Sequence, residues 1–192
     1  RIRITSEKKT GAYIEITMDM LREFGINVTF DGEEYIVDGN QKAVIGDYYI
    51  EPDVSAACYF YAMAAVTGGK ITVRNVFESS VQGDMKFLNV LAEMGCEVTE
   101  TKDGITVSRT GGLKGIDVNM NNFSDQALTL AAIAPFADGD TVIRNVGHIR
   151  GQECDRMAAI INELTKCGVA CHISGDDIFI SSGAVHGAEI ET

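Results

Sequence analysis

Three side chains in the second half of the sequence have types and spacings suited to chemistry: Asp125, Glu153 and Arg156. Asp125 lies in the polar opening Asn122-Phe-Ser-Asp-Gln126 of a stretch that then runs without a charge until Asp138. That places a carboxylate in the first turn of a predicted helix, where the helix dipole favours an acid. Glu153 and Arg156 are three residues apart in His148-Ile-Arg-Gly-Gln-Glu-Cys-Asp-Arg156, so both can face the same side of a second predicted helix. Taken alone, that spacing describes an ordinary surface ion pair of small energetic value. Taken together, two helix starts offer free backbone N–H groups close to Arg150 and Arg156. This combination is suited to holding an anion.

The elements that position these groups follow from apolar patterning. Residues 127–136 and 56–67 are almost wholly apolar, and a helix that is apolar all round must be covered on all sides. Glu51-Pro-Asp-Val-Ser55 is a helix-start signal for the second of these, and Gly68-Gly69 ends it. Residues 13–24 and 85–94 read as amphipathic helices stopped by Gly25 and Gly95. Strands are expected at 48–50, 70–76 and 141–146, and hairpins join 26–30 to 35–37 and 97–100 to 105–107. The pattern recurs: Val73-Arg-Asn-Val76 returns as Ile143-Arg-Asn-Val146, and Gly25, Gly95 and Gly168 each precede a hairpin. The unit is strand, buried helix, strand, amphipathic helix, hairpin, with a period of about seventy residues. The fold class is therefore α/β (α+β), built from repeated βαβαββ units. The helices at 56–66 and 127–136 are expected to lie side by side inside, with the sheets outside.

Composition limits the possible partners. The 192 residues are 45% hydrophobic, enough for a core, and carry a formal net charge of −12, which argues against nucleic acid or an anionic membrane as partner. An anionic substrate would need a local basic cluster. Five scattered cysteines, without framework spacing, read as reduced thiols of a cytoplasmic protein. No signal peptide and no bilayer-length apolar run is visible. The chain opens on a polar segment at Arg1 and is expected to be a piece of a longer protein.

Four motifs carry a resemblance: Glu51-Pro-Asp-Val-Ser-Ala-Ala-Cys-Tyr-Phe60, Gln82-Gly-Asp-Met-Lys-Phe87, Asn119-Met-Asn-Asn-Phe-Ser-Asp-Gln-Ala-Leu-Thr-Leu-Ala131, and Arg144-Asn-Val146 with Arg150-Gly-Gln-Glu-Cys-Asp-Arg-Met157. In this order they resemble the EPSP synthases (3-phosphoshikimate 1-carboxyvinyltransferases) over essentially the whole chain. The resemblance implies an inside-out fold of two lobes with three repeats each. Residues 1–49 would then end one lobe, and 50–192 would give two of the three repeats of the other. It implies addition of the 5-hydroxyl of shikimate 3-phosphate to C2 of phosphoenolpyruvate, a proton delivered to C3, and loss of phosphate. No cofactor or metal is implied. The only partner implied, besides the two substrates, is the missing lobe of the same polypeptide.

By the same resemblance, Asp125 accepts the hydroxyl proton, Glu153 exchanges a proton with the substrate carbon, and Arg156 binds phosphoenolpyruvate. His148 and Gln152 stand where the family usually has Asn and Lys near the shikimate phosphate; both depart from the pattern, and Gln152 removes a cation that Arg150 is placed to replace. Thr10 and Tyr13 align with a Ser and a Tyr that touch that phosphate from the other lobe; read without the family, they are a helix cap and a core-edge ring. Ser79-Ser-Val-Gln-Gly-Asp84 falls one period before 149–154 and reads as a cap and turn. Cys171 and His172 point to opposite faces of a predicted strand, so no zinc site is expected with Cys167. The alternatives are the cell-wall UDP-N-acetylglucosamine enolpyruvyl transferase, which shares the repeat but fits the Asp125 and Glu153 motifs less well, and a non-catalytic repeat module.

Overall fold

The computed structural model describes residues 1–5, 10–44 and 46–191. The chain divides into two units, Arg1–Glu51 with Val81–Gly83, and Pro52–Ser80 with Asp84–Thr192.

In the smaller unit, β1 (Ile2–Arg3), helix α1 (Ala12–Glu23), β2 (Val28–Phe30) and β3 (Glu34–Val37) follow one another. The sheet order is β1-β3-β2, with both pairings antiparallel. The expected hairpin forms because Asp31 Oδ1 accepts from the Glu33 and Glu34 backbone N–H groups at 2.8 Å each. Those two bonds hold the Asp31 carboxyl below its usual pKa. Helix α1 spans the expected residues but buries none of them. Residues 48–50, expected as a strand, are irregular, and Tyr49 and Ile50 are 72% and 80% exposed. Among the described residues they have no ladder partner, and extended backbone without one forms no strand.

The larger unit holds α2 (Val54–Thr67), β4 (Lys70–Arg74), α3 (Lys86–Glu93), β5 (Glu97–Thr101), β6 (Gly104–Ser108), β7 (Asp117–Asn119), α4 (Ala127–Ile133), β8 (Thr141–Arg144), α5 (Arg156–Lys166), β9 (Cys171–Ser174) and β10 (Asp177–Ile180). One sheet runs β4-β6-β5, all antiparallel. The other runs β7-β8-β10-β9, with β7 parallel to β8 and the rest antiparallel. The repeat is visible in the backbone. Asn75 and Asn145, the asparagines of the two Arg-Asn-Val segments, both take the left-handed conformation, with φ 62° and 59°. That region costs an Asn less than other side chains.

Caps explain where the helices start. The Asp53 carboxylate accepts from the Ser55 and Ala56 N–H groups at the start of α2, and Asp155 accepts from Ala158 N–H at 3.0 Å at the start of α5. The apolar stretch from Ala127 is a shorter helix than its composition suggests. Pro135 opens a separate 3-10 turn, Ala134–Phe136, since a proline ring lacks the N–H that would extend α4.

Helices α2 and α4 pack on each other, α2 also covers β4 and β6, α3 lies on β5, and α5 on β9. Tyr61, Phe87, Leu91, Leu130, Ile143 and Ile178 are fully buried between helices and sheets. Each such side chain contributes about 1.5–3 kcal/mol through removal from water. The helices are therefore inside and the sheets outside, as the repeat requires. The covering differs from expectation where Tyr59, Phe60 and Met63 of α2, Leu128 of α4 and Phe136 after it stay exposed. Tyr59, Met63 and Leu128 line an open groove of about 490 Å³.

Arg144 ties the second sheet together. Its guanidinium donates to both oxygens of Asp117 on β7 at 2.5 Å and to Asp177 on β10 at 2.9 Å, so one side chain spans three strands. The hydrogen bonds to Arg144 hold the Asp117 carboxyl below its usual pKa. With its folded pKa depressed, Asp117 adds stability above the unfolded value, about pH 4, and loses it as pH falls through the folded value.

The β5–β6 turn depends on Gly104. Its φ is +137°, and a Cβ built there would run into the Val73 carbonyl. We expect Gly104→Ala to lower the unfolding free energy by roughly 2–4 kcal/mol. Gly111→Ala, where a Cβ meets nothing within 4 Å, is expected to change it by less than about 0.5 kcal/mol. Urea denaturation of the two variants checks this, and equal losses would contradict it.

Candidate active site

Asp125 occupies a 3-10 turn, Ser124–Gln126, that leads into α4. The turn is held on both flanks. Ser124 Oγ and His148 Nε2 are hydrogen-bonded at 2.8 Å, and Gln126 Nε2 donates to Asp84 Oδ2 at 3.0 Å. The other end of the Gln126 amide accepts from the Thr129 hydroxyl at 2.9 Å, and Asp84 also accepts from the Ser55 hydroxyl. Ser124, Gln126, Thr129 and Asp84 are all buried. Between its two buried neighbours, Asp125 turns outward.

It turns toward Arg156, the first residue of α5. Arg156 Nη1 donates to Asp125 Oδ1 at 3.0 Å, and Nη2 donates to Glu153 Oε2 at 2.6 Å. One guanidinium thus joins two carboxylates from different segments. Glu153 is not on the helix, as its spacing from Arg156 suggested. It precedes the Asp155 cap, in the loop after a 3-10 turn at Gly147–Gly151. Its side chain is 76% exposed, against 21% for Arg156. Partial burial opposes the charge on Arg156, but the hydrogen bonds and charges of Asp125 and Glu153 outweigh it and raise the Arg156 pKa.

These groups line an open pocket of about 680 Å³, together with Ser55, Tyr59, Gln126, Leu128, Gly151 and Gln152. The structure brings together Asp125, Glu153, Arg156 and Gln152 of the sequence-derived candidates. His148 stands behind the turn, bonded to Ser124. Arg150 does not line the pocket; it donates to Asp176 at 3.2 Å and to the Gly175 carbonyl at 2.7 Å. Thr10 and Tyr13 belong to the smaller unit. Thr10 precedes the Gly11 cap of α1, and Tyr13 is 67% exposed. Ser55, Tyr59 and Gln126 were not singled out by the sequence. Ser55 sits in the helix-start signal Glu51-Pro-Asp-Val-Ser55, and Gln126 directly follows Asp125. Proximity to those motifs was the available signal.

No group of three or more His, Cys, Asp or Glu side chains arranged to hold a metal occurs among the described residues. The arrangement is one cation flanked by two acids, a polar rim and a partly apolar wall. It can hold a small anion at Arg156 and move protons at Asp125 and Glu153.

Comparison with known proteins shows the family. Residues 1–192 match the profile of EPSP synthase (3-phosphoshikimate 1-carboxyvinyltransferase). A 3-phosphoshikimate 1-carboxyvinyltransferase of Trichormus variabilis is 42% identical over 192 residues, covering 100% of this chain and 45% of that protein. The chloroplastic 3-phosphoshikimate 1-carboxyvinyltransferase 1 of Nicotiana tabacum is 45% identical over 189 residues, covering 93% of this chain and 36% of that protein. The solved EPSP synthase of Acinetobacter baumannii superposes with a TM-score of 0.73 at 25% identity, over 94% of this chain and 42% of that one. The chain thus spans less than half the length of these relatives, and its repeated, helix-inside arrangement is that of the solved synthase. With four motifs in order, the repeat, the fold and a match along its whole length, this chain belongs to the EPSP synthase family.

Proposed function

We propose that this chain is part of an enzyme that transfers the enolpyruvyl group of phosphoenolpyruvate to the 5-hydroxyl of shikimate 3-phosphate. Phosphate is released, in the synthesis of aromatic amino acids. The observation that carries the reading is the double contact of Arg156 with Asp125 and Glu153 in one open pocket. The reaction adds an alkoxide-like oxygen to C2 and a proton to C3, then expels phosphate with loss of a C3 proton. It needs a base at the hydroxyl, an acid at the methylene carbon and a cation at the departing group. Asp125, held in its turn, is the base. Glu153, on an exposed loop, is the carboxyl group that exchanges the carbon-bound proton. Arg156 holds phosphoenolpyruvate. Of the residues that the resemblance relates to the shikimate phosphate, Gln152, His148, Thr10 and Tyr13, with Arg150 as a replacement cation, Gln152 lines the pocket, whereas His148 and Arg150 are bonded to Ser124 and to Asp176 and Gly175. No cofactor takes part.

Residues 1–49 end one lobe on this reading, and 50–192 supply two of the three repeats of the second. A third repeat covers Tyr59, Phe60 and Met63 of α2, whose exposed apolar surface calls for such a cover. The rest of the polypeptide supplies the further cations that phosphoenolpyruvate requires. The setting is cytoplasmic; no helix among the described residues is long and apolar enough to cross a membrane.

The complete polypeptide, given phosphoenolpyruvate and either shikimate 3-phosphate or UDP-N-acetylglucosamine, should turn over the first pair only. In it, Asp125→Ala and Glu153→Ala are each expected to lower kcat roughly 100-fold or more, with KM little changed. Arg156→Ala should instead raise KM for phosphoenolpyruvate strongly. Near-normal turnover in Asp125→Ala, or turnover of the UDP-sugar, would overturn the reading.

A second expectation concerns Arg156 in this chain. An anion arriving at the guanidinium competes with Glu153, which occupies Nη2. Removing that charge should strengthen inorganic phosphate binding roughly fivefold, from about 1 kcal/mol of screened repulsion. An NMR titration of Glu153→Gln against the parent chain measures this, and weaker binding in the variant would contradict it.

A further inference from the structure

Asp84 has no place in the chemistry so far. In sequence it ends Ser79-Ser-Val-Gln-Gly-Asp84, a stretch one repeat period before the loop that carries Glu153. The later loop presents its acid to solvent; the earlier one turns its acid inward. Asp84 is only 4% exposed, and it takes part in none of the ion pairs formed among the described residues. A carboxylate in such a place is costly unless hydrogen bonds satisfy it. Here Oδ2 accepts from the Ser55 hydroxyl and from Gln126 Nε2, and the backbone carbonyl faces the Cys58 thiol at 3.7 Å. Burial, then the charges of Asp84 and Asp53, push the Cys58 thiol up, so it stays neutral beside them.

The consequence falls on Gln126. An amide can be flipped end for end, but this one has each end fixed: its NH2 donates to Asp84, and its oxygen accepts from Thr129. Gln126 is 1% exposed and directly follows Asp125. We propose that Asp84 is a positioning residue. By fixing Gln126 against the starts of α2 and α4, it sets the turn that aims Asp125 at Arg156 and the pocket. It does not touch the reacting atoms. This proposal rests on the reading of Asp125 as the proton acceptor.

The alternative is that Asp84 only stabilises the core. The two roles differ in what happens when Asp125 is absent, because a residue that acts through Asp125 loses its kinetic effect once Asp125 is gone. In the complete polypeptide, Asp84→Asn keeps the shape but removes the charge that strengthens the bonds from the Ser55 hydroxyl and the Gln126 amide. We expect kcat to fall roughly 10-fold with KM for both substrates within about twofold. In an Asp125→Ala background the same change should alter kcat by less than about twofold. Thr129→Val, which frees one end of the Gln126 amide without emptying the core, should show the same coupling at roughly threefold. It also keeps the test alive if Asp84→Asn fails to fold. Unchanged kcat in either folded variant, or a loss of equal size with and without Asp125, would overturn the proposal. Normal turnover of Asp125→Ala alone would overturn the underlying assignment instead, and so is told apart.

Discussion

Two ionised carboxylates at one small pocket repel each other, the more so on a chain of formal net charge −12. At contact distance their repulsion is about 1 kcal/mol in water and several times that near a protein surface. The Arg156 guanidinium resolves this by donating one nitrogen to Asp125 and another to Glu153. Much of the larger unit serves that contact. The Asp155 cap fixes the start of α5, and with it the root of the Arg156 side chain. The buried anchors at Ser124 and Gln126 fix the turn that presents Asp125. The helices α2 and α4 bring the segments together by burying their apolar faces against one another.

Much of this was legible in the sequence, for physical reasons that can be named. The helices α2 and α4 were visible because an uncharged run of that length has to be buried, and the glycines that end the amphipathic helices are needed at positive φ. The seventy-residue period brought the two Arg-Asn-Val segments into register, and both place their asparagine in the left-handed region. The strand expected at 48–50 was not formed, because β-branched and aromatic residues make a strand only beside a partner, and local sequence does not show the partner. The helix from Ala127 stopped early at Pro135, a signal that was present but outweighed by the apolar run.

The candidate site divides along similar lines. Asp125, Glu153 and Arg156 stood out through the family motifs, since by spacing alone they read as a first-turn acid and a surface ion pair. Ser55, Gln126 and Asp84 were not, since a serine, an amide and a carboxylate near helix starts read as caps. Only the fold shows that Asp84 points inward and is satisfied by groups from two other segments. The exposed face of α2 was missed for the opposite reason. Composition says that Tyr59, Phe60 and Met63 need covering, but not whether these 192 residues contain the cover.

On the proposed reading, this chain holds one side of a site whose other side lies in the rest of the polypeptide. Calorimetry on the 192-residue chain with shikimate 3-phosphate, alone and with phosphoenolpyruvate present, tests it most directly. With Arg156 shared between two acids and open to water, affinity for either ligand should be no tighter than about millimolar. Neither ligand should strengthen binding of the other. Micromolar affinity, or synergy between the two, would show that the site is complete within this chain and contradict the account.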